Sequence, residues 1–312
     1  MGFDVAYEAL TDHEDDARWA YGTGFADPLS GVDTAVPEGV DRERLAAYCL
    51  MLGDDALILS HRLQQWVTRA PELEDELALA NIGLDLLGQA RLLLTRAGQV
   101  EDAGRDEDAL AYLRGPHEFR NVCLAERSDA DFAHLVARLL VFATWRLALF
   151  DRLAATRDPM LAAIAAKGVK ELTYHREWAA QWVVRLGDGT ALSHDRMRAA
   201  VAAVVPLAGE LFRTHPVESD LAAEGFAVDP AGLRDEFDAV LAQVLTAATL
   251  TDDSGSAQDG RSAQDGRSAQ DGGSAQDGAA GKNGRDGEHT PALAEILDEM
   301  QALARSVPGG AW

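Results

Sequence analysis

Apolar residues recur at helical spacing through four long stretches of this 312-residue chain, and no run of alternating β-branched residues marks a strand. The first stretch runs from Asp41 to Arg69 and stops before Pro71. Pro71 then opens a second, from Glu72 to about Ala97, closed by Gly98. The third begins near Asp131 and continues to about Thr156. Asp158 and Pro159 supply an N-cap and a first-position proline for the fourth, which runs to Leu186 and ends at Gly187. A fifth, from Ser193 to Leu211, is expected to kink at Pro206, and shorter helices are expected near 106–113, 231–248 and from Pro291 to about Arg305.

Four long helices, paired by short turns and separated by one long crossover, imply an all-α chain: a ferritin-like four-helix bundle with extra short helices. Such a bundle makes one chemical demand that a sequence can answer. A di-iron or di-manganese centre takes a Glu from each of two helices and a Glu-x-x-His pair from each of the other two, because residues three apart share a helix face. No Glu-x-x-His occurs in the chain. The nearest match, Asp131 with His134, lies in the first turn of its helix, where Asp is an ordinary capping residue. The first helix offers Asp54, Asp55 and His61, and the second Asp85 and Gln89. The third, LLVFATWRLALF, has no carboxylate near its middle, and the fourth offers Glu171 and His175, spaced by four. Two plausible inward carboxylates and one histidine fall short of the ligand set, so no metal is expected in this chain.

The chain carries 52 acids against 28 bases, a net charge of −24. That surface repels phosphate backbones and anionic lipid, which argues against nucleic acid and membrane as partners. Asp exceeds Glu, and only Lys167, Lys170 and Lys282 are lysines. This is the halophilic composition of a protein kept soluble in concentrated salt; a GC-rich genome would favour Arg over Lys without producing such a charge. The acidic N-terminus lacks the basic start and apolar run of a signal peptide, and no stretch of 18 uncharged apolar residues occurs, so a cytoplasmic location is expected. Cys49 and Cys123 read as core fillers. Residues 1–38 read as an acidic, largely disordered lead-in to the bundle at 39–251. Within 252–289 the unit Ser-Ala-Gln-Asp-Gly recurs at 256, 262, 268 and 274, a low-complexity insertion too poor in apolar residues to order itself. It lacks the period and inward apolar position of calcium-binding nonapeptides. Residues 290–312 are expected to supply a final helix packed on the bundle.

Four segments carry a family likeness: LGDDALILSHRLQQW (52–66), APELEDELALANIGLDLLGQAR (70–91), ALFDRLAATRDPMLAAIAAKGVKELTYHREWAAQWVVRLGDGT (148–190) and VPGGAW (307–312). They resemble the C subunits of bacterial phenylacetyl-CoA 1,2-epoxidases, over most of 45–250 and the last helix. The acidic lead-in and the repeats have no counterpart there. The resemblance implies membership of a multicomponent monooxygenase of phenylacetate catabolism that epoxidises the aromatic ring of phenylacetyl-CoA with dioxygen. It further implies that the di-iron centre belongs to a ferritin-like catalytic A subunit. Electrons would come from NADPH through a separate reductase subunit holding FAD and an iron–sulfur cluster. The C subunit would be the structural, non-catalytic partner of A. No catalytic, cofactor-binding or metal residue carries over to this sequence.

If iron is absent, something else must fill the middle of the bundle. Lys167, Glu171 and His175 lie four apart on one helical face, and two of the three lysines flank Glu171. A structural polar centre of Lys167, Glu171 and His175, with Asp85 and Gln89 opposite, is the expectation; a solvated Lys–Glu pair is the alternative. Trp66, Trp145, Trp178 and Trp182 read as core or interface anchors, and His61 and His134 as structural. The chain has no Gly-x-Gly-x-x-Gly for a dinucleotide. Two other readings stay open from sequence: a diverged ferritin-like enzyme with its own metal site, and an all-helical adaptor outside the oxygenase.

Overall fold

The computed structural model describes residues 29–251 and 283–307, and every regular element within them is helical. The bundle consists of α1 (Arg42–Gln64), α2 (Leu73–Glu101), α3 (Phe132–Leu153) and α4 (Pro159–Gly187). Flanking them are α5 (Ala191–Val204), α6 (Arg234–Ala247) and α7 (Pro291–Ser306). α1 packs along α2 and α3 along α4, the two pairs meet through α2 and α4, and the crossover carries the short helices Glu107–Tyr112 and Cys123–Glu126.

The starts of the helices follow from side-chain caps. Asp41 accepts from Arg44 N, Asp131 from His134 N, and Asp158 from both Met160 N and Leu161 N, each satisfying donors that the first turn leaves open. The ends are less simple. α1 stops at Gln64 rather than Arg69, and the turn that follows buries Trp66 against Phe132. α2 runs through Gly98, where a methyl group would strike the Arg105 carbonyl oxygen, and ends at Glu101. The left-handed residue that stops it is Asp102, with φ of 58°. The expected kink at Pro206 appears as a change from α5 to a 3-10 segment, Val205–Phe212.

α3 sits at the centre and is buried almost all round, from Leu135 to Phe150 without a break. By length and composition α2 and α3 could each cross a bilayer, but 89% of α3's most apolar window is buried inside the bundle. Trp66 and Trp145 are core residues, while Trp178 and Trp182 are half-buried and close an aromatic cluster with Phe132. His134 pairs with Asp131 at 2.7 Å, and both cysteines are buried and unbridged.

Two segment boundaries differ from expectation. Leu29 and Val36 of the lead-in pack on the core, and Thr34 and Ala35 give their carbonyls to buried Arg96, which also forks onto Asp158. Residues 283–289, expected to belong to the disordered insertion, are part of the fold, because Arg285 enters the bundle there. The repeat units themselves, and residues 1–28, lie outside the described residues.

Candidate functional site

The expected polar centre exists in part, and its middle is a residue that carboxylate spacing does not reveal. Lys167 pairs with Glu171, and Glu171 Oε2 accepts from Gln89 Nε2 at 2.9 Å. Gln89 Oε1 in turn accepts from Arg146 Nε at 3.0 Å, and Arg146 Nη2 donates to the Leu52 carbonyl at 3.0 Å. Arg146 is fully buried at the middle of α3, between the faces of Phe142 and Phe150. Its Nη1 lies 3.9 Å from Asp55 Oδ2. The chain Lys167–Glu171–Gln89–Arg146–Asp55 therefore crosses all four bundle helices.

His175 and Asp85 meet one turn away: Nε2 lies 3.0 Å from Asp85 Oδ2. His175 is buried while the Asp85 side chain is 37% exposed, so this pair opens to the surface rather than joining the centre. Lys167, Glu171 and Gln89 come together as expected; His175 and Asp85 stand apart from them. The third helix, expected to contribute nothing, contributes the cation. A lone Arg in the apolar run VFATWRLALF was the available signal.

Asp55 and its neighbour Asp54, both buried on α1, are held by arginines far away in sequence. Asp54 takes a fork from Arg114 and a backbone bond from Arg120 N at 2.9 Å. Asp55 takes Arg285 through both oxygens, at 3.0 and 2.9 Å, and Val122 N at 2.8 Å. Burial pulls Arg146 down to about 10, opposed by Asp55 and reinforced by Arg285. Arg285 stands above the ordinary arginine range: burial lowers it, but the charges of Asp55 and Glu218 more than offset that.

These donors do not fit a dinuclear metal centre. A guanidinium offers only N–H donors, and Arg146, the polar side chain that α3 sends into this centre, spends them on Gln89 and the Leu52 carbonyl. Gln89 is engaged at both ends, and Glu171 by a lysine and an amide. Elsewhere, Cys123, Glu126 and His289 place one potential ligand atom each within 4.8 Å of the others. Glu126 there already accepts from Thr290 N at 2.6 Å, Asn121 Nδ2 at 3.0 Å and His289 Nδ1 at 2.8 Å. Burial, Glu210 and Glu126 push the Cys123 thiol up to about 12, which keeps it neutral. The group works as a clasp: Glu126 and Arg62 tie the start of α7 to the crossover, Arg62 reaching the Ala292 carbonyl at 2.8 Å.

A family model described as phenylacetic acid catabolic protein matches residues 31–270. The chain belongs to that family. The 1,2-phenylacetyl-CoA epoxidase C subunit of Escherichia coli (strain K12) is 41% identical over 269 residues, covering 86% of this chain and 99% of that protein. The matched span contains all four bundle helices, and with them the residues of the polar centre.

Proposed function

We propose that the chain is the structural, non-catalytic subunit of a multicomponent phenylacetyl-CoA 1,2-epoxidase in phenylacetate catabolism. Its partner would be a ferritin-like catalytic subunit that carries the di-iron centre. The observation that carries this reading is Arg146: a fixed guanidinium, hydrogen-bonded to α1 and α2, stands where an active bundle gathers metal ligands. The relation to an epoxidase C subunit supports it.

On this reading NADPH, FAD and the iron–sulfur cluster belong to a separate reductase, and the assembly is cytoplasmic. The test is co-expression with a family paralogue that carries Glu-x-x-His pairs, assaying oxygen-dependent conversion of phenylacetyl-CoA with and without this chain. Conversion should require both chains, and the purified chain should hold iron or manganese far below stoichiometry. Stoichiometric metal bound at Cys123, Glu126 and His289, or in the bundle, would refute the reading.

A further inference from the structure

α2 turns an apolar stripe away from its own bundle. Leu73, Leu77, Leu84 and Leu87 are 66%, 58%, 58% and 41% exposed, four of the nine large exposed hydrophobics among the described residues. With Ala80 between them their spacing is four, three, four and three, the repeat of a helix that packs along another helix. α2 is nearly as apolar as α3, yet only half of its most apolar stretch is buried, against 89% for α3.

A second observation lies in the same face. Gly88 follows Leu87 in the middle of the helix, where glycine is a destabilising choice. The other glycines inside the bundle helices, Gly53, Gly83, Gly98, Gly168 and Gly187, each have an atom of this chain where a methyl group would go. A methyl at Gly88 would meet nothing within 4 Å among the described residues. The described residues give no reason for the missing side chain, whereas close approach of an outside backbone does.

The geometry points to this stripe as a docking surface for one helix of a different chain, with an apolar stripe of its own flanked by Lys and Arg. The sign follows from the flanks: Glu72, Glu74 and Glu76 surround the first leucines, and Arg91 is already paired with Glu107. A second copy would oppose like charges and bring two chains of −24 together. Residues 1–28 of the chain itself are also acidic, the wrong sign for this face. The assignment rests on the reading above, so the helix belongs to the di-iron subunit.

Co-expression of the full chain with the Glu-x-x-His paralogue tests it, with affinity read by light scattering and titration. Leu77→Glu and Leu84→Glu should each weaken the complex by about 100-fold, while leaving the melting temperature of the isolated chain unchanged because neither side chain is buried. Gly88→Ala should act with opposite signs, raising that melting temperature and weakening the complex by about tenfold. Wild-type affinity in all three variants overturns the surface while leaving the assembly intact. No complex with wild-type chain overturns the assembly reading and this assignment with it. Self-association that the variants abolish would make a second copy the occupant and overturn the choice of partner.

Discussion

Replacing Arg285 by Met should be among the most damaging single changes outside the apolar core. The guanidinium is 6% exposed and satisfies three groups: Asp55 through both oxygens, the Met51 carbonyl at 3.0 Å and the Arg120 carbonyl at 2.8 Å. Methionine can keep the aliphatic packing but leaves Asp55 a buried carboxylate with a backbone donor and a guanidinium 3.9 Å away. Breaking a buried pair from one side costs about 3–5 kcal/mol, and each stranded carbonyl about 1 more. Closer approach of Arg146, freed from the repulsion of Arg285, returns part of this. A net loss of about 4 kcal/mol corresponds to roughly 8–16 °C in a helical body of this size.

Thermal melts followed by far-UV circular dichroism measure the loss, and a double-mutant cycle assigns it. If the damage is the stranded charge, adding Asp55→Leu to Arg285→Met should recover at least about 2 kcal/mol, since an apolar replacement of both partners is often neutral. Arg285→Met costing under about 1 kcal/mol, or two losses that simply add, would refute the idea that this ion pair anchors the C-terminal segment.

Three smaller effects are expected. Glu171→Gln keeps the Gln89 contact but loses attraction to Lys167; with those side chains 15% and 30% exposed, screening limits the cost to about 1 kcal/mol, and an unchanged melting temperature would make the pair a solvated one. Burial lowers the pKa of His61, so below about pH 6.5 the unfolded chain binds more protons there. Stability should therefore fall as the pH drops through that window and on to the folded pKa; His61→Gln should flatten the slope of denaturation midpoint against pH, and an unaltered slope would exclude His61 as its source. Burial raises both thiols, Cys123 to about 12, so neither should react with Ellman's reagent until the chain is unfolded. Rapid native labelling would contradict their placement.

Much of the architecture is legible in local sequence because helix starts are local events. Asp41, Asp131 and Asp158-Pro159 each mark a cap within three residues of what they bond. Helix ends read less well: Gly98 looks like a stop, but its missing side chain serves contact with the crossover, and Asp102 takes the left-handed turn. The same limit governs the polar centre. Lys167 and Glu171 are visible because four residues separate them along one helix. Asp54 with Arg114 and Asp55 with Arg285 are separated by 60 and 230 residues, and no periodicity links them. Arg146 stands in plain view in the sequence, but metal-ligand spacing is a pattern of carboxylates and histidines, and a cation in an apolar run falls outside it.

That cation makes sense of the acids around it. A ferritin-like bundle that gathers carboxylates needs positive charge among them, since buried anions without a counterion are prohibitive. In a metal-bearing bundle that charge arrives from outside and its stability varies with metal supply. Here Arg146, Arg285 and Arg114 are covalent parts of the chain: Arg146 bonds α3 to α1 and α2, Arg285 ties the segment before α7 to α1 and the crossover, and Arg114 ties the crossover to Asp54 of α1. Those buried carboxylates of α1 therefore meet their cations as soon as the chain folds. On the function proposed above, rigidity independent of iron is what this chain would offer a catalytic bundle that is emptied and refilled beside it. It follows that chelators strong enough to strip iron from the catalytic chain should leave the melting temperature of this one unchanged. A drop on chelation, measured on the isolated chain, would mean that a metal and not the arginines balances its core.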